Sequence, residues 1–227
     1  MFQSIQIQTK QECNLKCEFC PNSYIKQTGH KMTLKLYKKI INELAELNYK
    51  GKIGLYLMNE PLMDDRFLTL VKYARSNLKE VELYISTNGT LLNDKIVNDL
   101  RSSGINRIVV SCYTKEIYEK VENLNVTKLK FYEKDLKNQF YNRGGNSEGY
   151  GNEVEQKYCK NPFTQMYITS NGEAVICCAD YKKEVVMGDV KNQSLMDIWG
   201  NDKYKHYRKH LLKGQRRLLA LCKNCNY

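Results

Sequence analysis

The sequence predicts an α/β fold. Parallel strands alternate with helices in one sheet, and a small cysteine-rich module of one β-hairpin and a helix follows. Three observations predict it. From residue 1 to about 136, short β-branched and aromatic runs alternate with amphipathic stretches, the pattern of repeated βα units. That pattern stops before a segment with four glycines, NRGGNSEGYGN at 142–152. Beyond it, cysteines flank a hairpin signal and close the chain. A chain of 227 residues, 42% of them apolar, can bury one main domain with a small appendage. The expected division is 1–141 and 142–227.

The elements follow in order. Ser4 to Thr9 alternates as a strand and runs into a cysteine loop. Leu34 to Leu47 carries apolar residues at helical spacing. Gly54 to Met58 (GLYLM) reads as the second strand, ended by Asn59-Glu60-Pro61. Asp65 to Ser76 is helical, and Val81 to Ser86 is the third strand, ended by the turn signal Thr87-Asn88-Gly89. Leu91 to Arg101 is a helix with Gly104 as its stop. Ile108 to Ser111, a short helix over Glu116 to Asn123, and Val126 to Tyr132 complete the repeat. Strands joined this way form a parallel sheet with right-handed crossovers, so functional residues gather at the strands' carboxyl ends. In the second part, Met166–Thr169 and Ala174–Cys177 flank Asn171-Gly172 as a hairpin, and a basic helix runs from about Leu195 to Leu211.

No apolar run approaches the roughly 20 residues needed to span a bilayer. The start, MFQSIQIQTK, lacks the charged onset and apolar block of a signal peptide. A cytoplasmic protein with no membrane partner is expected. Nine cysteines in a reducing compartment indicate metal binding or catalysis, and an odd count argues against full disulfide pairing. The net charge of +11 comes mostly from lysine. A nucleic-acid partner is not favoured, because no recognition motif of the known modules is present. The run Lys203 to Arg217 is either a solvated helix face or a contact for an anionic substrate or partner.

The chemistry concentrates in CNLKCEFCP, where Cys13, Cys17 and Cys20 crowd one loop. Soft thiolates select iron–sulfur clusters, zinc or Cu(I). Zinc would need a fourth protein ligand, and His30 is the nearest histidine, at a spacing that fits no usual zinc site. Three thiolates on a cubane leave one iron open.

The motif Cys-x-x-x-Cys-x-Phe-Cys after the first strand resembles the signature of radical S-adenosylmethionine (radical SAM) enzymes. That resemblance implies a partial (βα)5–6 TIM-like barrel. It also implies a 4Fe–4S cluster on Cys13, Cys17 and Cys20 whose open iron binds SAM, and reductive cleavage of SAM to a 5′-deoxyadenosyl radical that abstracts hydrogen from substrate. It assigns SAM contacts to Phe19, to Asn59-Glu60-Pro61 where the family has Gly-Glu-Pro, to Ser86, Thr87 and Asn88, and to Ser111. The Gly-to-Asn change at 59 is tolerated if a backbone carbonyl makes the contact.

Four further cysteines, Cys159, Cys177, Cys222 and Cys225, stand in the pattern Cys-x12-Gly-x4-Cys followed by Cys-x2-Cys. By spacing alone they suit zinc or a cubane cluster equally. The pattern is similar to the twitch form of the SPASM domain, which implies a second, auxiliary 4Fe–4S cluster. Four thiolates saturate such a cluster, so its expected role is to accept or relay electrons. Gly172 supplies the turn that brings Cys177 back beside Cys159.

Cys112 and Cys178 belong to neither set. Each is a candidate donor of a hydrogen atom to a substrate radical, or else a small buried hydrophobe. Arg143 cannot act as a base, since arginine stays protonated, and is read as an anchor for substrate hydroxyls or a phosphate. His30, His206 and His210 carry no expected role, and Trp199 is expected in the core of the small module.

The resemblance extends to twitch-bearing dehydrogenases that oxidise a cyclitol. It implies a radical SAM oxidoreductase acting on a small sugar, cyclitol or similar molecule, with a reducing partner such as flavodoxin or ferredoxin. The rival readings are an epimerase with a cysteine hydrogen donor, a peptide-modifying radical SAM enzyme, and a metal-stabilised nucleic-acid-binding module.

Overall fold

The computed structural model describes residues 1–132, 139–147, 149–150, 153–154 and 156–227. Positions 148, 151 and 152 of the expected glycine-rich loop therefore lie outside the described residues.

One eight-stranded mixed sheet organises the chain, in the order β5-β4-β3-β2-β1-β6-β7-β8. The repeat comprises β1 (Ser4–Ile7), α1 (Leu34–Glu46), β2 (Lys52–Gly54), α2 (Phe67–Asn77), β3 (Glu82–Thr87), α3 (Asp94–Ser103), β4 (Arg107–Cys112), α4 (Lys115–Val121) and β5 (Lys128–Phe131). These five strands pair in parallel. The helices begin where capping chemistry dictates. Thr33, Asn93 and Thr114 accept backbone N–H bonds from Leu36, Ile96 and Ile117. Helix α3 stops at Gly104, at φ 108°, where a Cβ would fall 2.6 Å from Arg75 Cγ. Helix α1 buries Leu36, Tyr37, Ile40, Ile41 and Leu44 on one face.

After a helical turn, α5 (Asn161–Thr164), strand β6 (Gln165–Ile168) lies parallel to β1, register Ile5 to Met166, and so becomes the sixth parallel strand. It also pairs antiparallel with β7 (Glu173–Val175), across the turn where Gly172 holds φ +88°. The expected hairpin is therefore present, and its first strand extends the barrel sheet. Strand β8 (Val186–Asp189) adds an antiparallel edge. The sequence reading did not find it, because only a few apolar residues separate Lys182-Lys183-Glu184 from Gly188-Asp189, too few to show alternation.

Two expected boundaries shift. The second strand ends at Gly54 rather than Met58. Leu55 still donates its N–H to Tyr84 O at 3.0 Å, after which the chain leaves the sheet and lines the site. The expected helix over 195–211 is two helices, α6 (Leu195–Gly200) and α7 (Asp202–Leu212). Asn201 breaks it by taking extended backbone (φ −71°, ψ 169°) and accepting the Tyr204 N–H.

The main apolar core runs through both parts, from Ile5, Ile7 and Ile41 to Ile198, Tyr204 and Leu221, beside a small separate cluster of Met58, Tyr167 and Val175. Trp199 packs edge-on against Phe2 at 5.4 Å, tying the small module to the first strand. Among the described residues no helix is long and apolar enough to cross a membrane.

Candidate active site

The carboxyl ends of β1 to β5 open on one cavity of about 280 Å³. Cys13, Cys17 and Cys20 form one wall. Asn59 and Glu60 after β2, Ser86, Thr87 and Asn88 at the end of β3, Ser111 at the end of β4 and Phe19 also line it. The structure thus brings together the sequence-selected SAM-site residues, except that Pro61 starts a turn behind Glu60.

The cysteine loop is held from several directions. Cys13 N–H donates to Gln27 Oε1 at 2.6 Å, and Gln27 donates back to Asn22 O. Ser23 Oγ donates to Cys17 O at 2.7 Å. Asn88 Nδ2 lies 3.9 Å from Cys13 Sγ and donates to Asn14 Oδ1 at 2.9 Å. Burial first, then repulsion from Cys20 and Cys13, pushes the Cys17 thiol up to about 12. A cationic metal centre reverses that balance, because a coordinating thiol is deprotonated outright.

Glu60 does not offer its carboxylate to a ligand. It is buried and accepts bonds from Thr87 Oγ1 and Asn88 N at 2.8 Å and from Leu62 N at 3.1 Å. Burial outweighs those donors and holds its carboxyl above the usual range. The side chain braces the segment after β2 against the end of β3. Asn59 accepts the Leu57 N–H through Oδ1, while its buried Nδ2 has no partner.

Phe19 stacks on Phe140 at 4.1 Å and 1°, and packs on Tyr113 at 5.0 Å. Ser147 Oγ donates to Phe19 O at 2.8 Å. The residues around 140–147 are thereby closed onto the cysteine loop. Arg143, at φ 50°, lies over the Tyr141 ring at 4.8 Å and donates to Tyr141 Oη at 3.3 Å, while its buried Nε is unpartnered. Sequence reasoning missed Tyr56, Tyr113, Lys130, Tyr132 and Tyr181, which also line the cavity. Tyr181 Oη sits 3.9 Å from Cys20 Sγ. No motif marks these tyrosines; only their placement at strand ends and after Cys177 could have drawn attention to them.

Cys159, Cys177, Cys222 and Cys225 line a second pocket, whose walls include Pro162, Ile176, Leu211 and Leu221 together with Tyr141, Arg216 and Tyr227. Burial first, then repulsion from Cys225 and Cys159, pushes Cys222 up to about 12. The turn at Arg143–Gly145 closes onto the chain's last residues. A Cβ at Gly145 (φ +87°) would meet Asn224 Cβ at 2.7 Å, and Asn142 Nδ2 donates to Asn224 O at 2.6 Å. Arg216, read from sequence as part of a basic run, is buried at 2% exposure. It donates to the carbonyls of Lys157, Tyr158, Cys225 and Tyr227, clamping the segments that carry Cys159 and Cys225.

The two remaining cysteines separate. Cys112 is fully buried in the apolar core; strand alternation turns Ser111 to the cavity and Cys112 away from it. Cys112 is not among the residues that line the cavity. Cys178 does not line the second pocket; it packs with Met58, Tyr167 and Tyr181, its thiol in contact with that of Cys177 and 3.9 Å from Tyr141 Oη.

The donor sets fit iron–sulfur centres. Three thiols share a cavity with unpartnered buried donors, which matches a cluster with one corner left for a small ligand. Four thiols in an apolar pocket match a saturated cluster. Among the described residues, no three candidate ligands are placed to hold a single metal ion.

Comparison with known proteins agrees. Residues 7–114 match the radical SAM superfamily, and residues 159–226 match SPASM, an iron–sulfur cluster-binding domain. The chain is a radical SAM enzyme with a SPASM-type auxiliary domain, binding SAM, a 4Fe–4S cluster and auxiliary iron–sulfur. Its similarity extends to the S-adenosyl-L-methionine-dependent 2-deoxy-scyllo-inosamine dehydrogenase of Niallia circulans, 29% identical over 100% of this chain and 93% of the relative. The crystal structure of BtrN in complex with AdoMet and 2-DOIA superposes with a TM-score of 0.89 at 28% identity, covering 100% of this chain and 94% of that one. An open conformation of BtrN superposes with a TM-score of 0.81 at 27% identity, covering 100% and 93%.

Proposed function

We propose that this enzyme oxidises a carbinol of a cyclitol, sugar or similar polyol to a ketone, with the auxiliary cluster accepting the second electron. The observation that carries the reading is the shared cavity: three thiols form one wall, and Arg143 presents an unpartnered, buried Nε from another. The relative named for oxidising 2-deoxy-scyllo-inosamine supports the substrate class.

Cys13, Cys17 and Cys20 would hold the SAM-binding cluster, and Cys159, Cys177, Cys222 and Cys225 the auxiliary one. When bound, the first centre and SAM supply a 5′-deoxyadenosyl radical for hydrogen abstraction. The protein's own residues do the rest. Asn88 and Gln27 fix the cysteine loop. The unpartnered Asn59 Nδ2, with Ser86 and Ser111, offers polar contacts to SAM. Arg143 donates to a substrate oxygen and stays charged throughout, so it orients and does not take the proton. Phe19, Phe140, Tyr113 and Tyr132 form an aromatic wall that keeps water from the reacting carbon. Oxidation is preferred to epimerisation because Cys112 lies in the core and Cys178 is not among the cavity's lining residues. We place the enzyme in the cytoplasm, where its clustered thiols stay reduced, and assign electron supply to a flavodoxin or ferredoxin.

Anaerobic reconstitution should give about eight irons per chain, two cubanes' worth. Reduction with dithionite should then cleave SAM to 5′-deoxyadenosine. With 2-deoxy-scyllo-inosamine and related polyols as probes, the product should be lighter by two hydrogens. Cleavage without any such product, or a product of unchanged mass that carries solvent deuterium, would overturn the dehydrogenase reading.

A further inference from the structure

The charge of this protein is concentrated at one end. Residues 203–227 hold eight of its 36 lysines and arginines and none of its 25 acidic residues. They wrap the auxiliary pocket. Arg216 binds the carbonyls of Lys157, Tyr158, Cys225 and Tyr227, Arg217 N–H donates to Gln156 Oε1, and Gly214 lies against the backbone of Gln156 and Lys157. Segments 156–158, 212–218 and 223–227 therefore form one surface. Tyr158, Leu212, Leu218 and Tyr227, four of the eight exposed large apolar side chains among the described residues, belong to it, at 48–65% exposure. Lys213, Arg217 and Lys223 stand exposed among them. Beneath lie Cys159, Cys222 and Cys225, each half-buried. None of these surface residues lines the substrate cavity.

We infer that this surface docks a small acidic one-electron carrier protein of the flavodoxin or ferredoxin class, which collects the electron delivered to the auxiliary centre. The inference rests on the proposed oxidation. Converting a carbinol to a ketone removes two electrons: one leaves within the abstracted hydrogen atom, the hydroxyl proton goes to solvent, and the second electron reduces the oxidised carrier by one. A positive patch with a few apolar anchors meets a negative carrier with steering and a fast release. Complexes of this kind are small, under about 1,200 Å². Nucleic acid is disfavoured, because exposed leucines in the patch match a protein face and not a phosphate backbone.

Binding of purified flavodoxin to the reconstituted enzyme, measured by calorimetry at two salt concentrations, tests the inference. The wild type should bind, and more weakly at high salt. The variant Lys213→Glu with Arg217→Glu should bind at least about tenfold more weakly, a loss of about 1.4 kcal/mol. A comparison variant away from both cysteine sets, Lys72→Glu with Lys79→Glu, exposed on and just after α2, should stay within about twofold. Equal binding by the patch variant, or an equal loss in the comparison variant, would overturn the inference. So would a single-stranded oligonucleotide that binds more tightly than flavodoxin and loses affinity in the patch variant. If the double variant loses iron, Leu218→Glu, at a side chain 64% exposed, answers the same question. Binding is read without turnover. A failure of substrate oxidation under dithionite would thus speak against the proposed function while leaving the docking result intact.

Discussion

Three side chains separate geometry from chemistry. Tyr181 Oη lies 3.9 Å from Cys20 Sγ, and hydrogen bonds to cluster sulfurs stabilise the electron-rich, reduced state. Tyr181→Phe should therefore shift the first cluster's midpoint potential to more negative values by about 20–60 mV, since a net hydrogen bond is worth roughly 0.5–1.5 kcal/mol and 59 mV is tenfold for one electron. A redox titration followed by electron paramagnetic resonance reads the shift; an unmoved potential would mean the hydroxyl does not reach the sulfur. Arg143→Lys keeps the charge but loses the planar fork. Product formation should fall by about 10-fold or more while SAM cleavage continues uncoupled; coupled, wild-type turnover in the variant would remove Arg143 from substrate binding. Cys112→Ala should cost about 1–2 kcal/mol in unfolding free energy, as loss of a small core side chain does, and leave turnover intact. The cysteines were legible in the sequence because thiolate spacing is dictated by cluster geometry. Tyr181 and Arg216 were not, since a tyrosine against sulfur and an arginine on carbonyls look like any other tyrosine or arginine until the fold brings distant segments together.

At the scale of elements, periodicity and capping were readable wherever an element is long enough to repeat. Helix α1 and the Gly104 stop of α3 appear where their residues place them. The misses have local causes. Strand β8 is too short to alternate, and the break at Asn201 depends on its side chain competing for the Tyr204 N–H, a choice that apolar spacing does not reveal. The turn at Gly144–Gly145 is the element on which the second cluster depends. Gly145→Ala forces a side chain into the left-handed region and against Asn224 Cβ, a strain of about 1–3 kcal/mol beside Cys225. Iron analysis should show loss of about four of eight irons with SAM cleavage retained; full iron content would mean the tail adapts freely.

For the whole molecule, alternation of strands and helices gave the parallel sheet, yet not how the cysteine-rich part joins it. Strand β6 is the sheet neighbour of β1, and Trp199 packs on Phe2. The two parts share one core, so a chain ending at residue 158 would expose the edge of β1 along its length. Such a truncation should aggregate or expose apolar surface to a hydrophobic dye, and should hold little iron; a monomeric fragment that binds a cluster and cleaves SAM would show the first part self-sufficient.

Adjacent residues Cys177 and Cys178 belong to different surroundings: Cys177 lines the four-thiol pocket, while Cys178 packs with Met58 and Tyr181, the two thiols in hydrogen-bond contact with each other. The partition between the compartments is, at that point, a single peptide unit. Deleting Ile176 would carry Cys178 to the place of Cys177 and Cys177 to that of Ile176, so a different thiol would stand at that corner of the pocket. Chain length here, as much as side-chain identity, decides which thiol belongs to the metal.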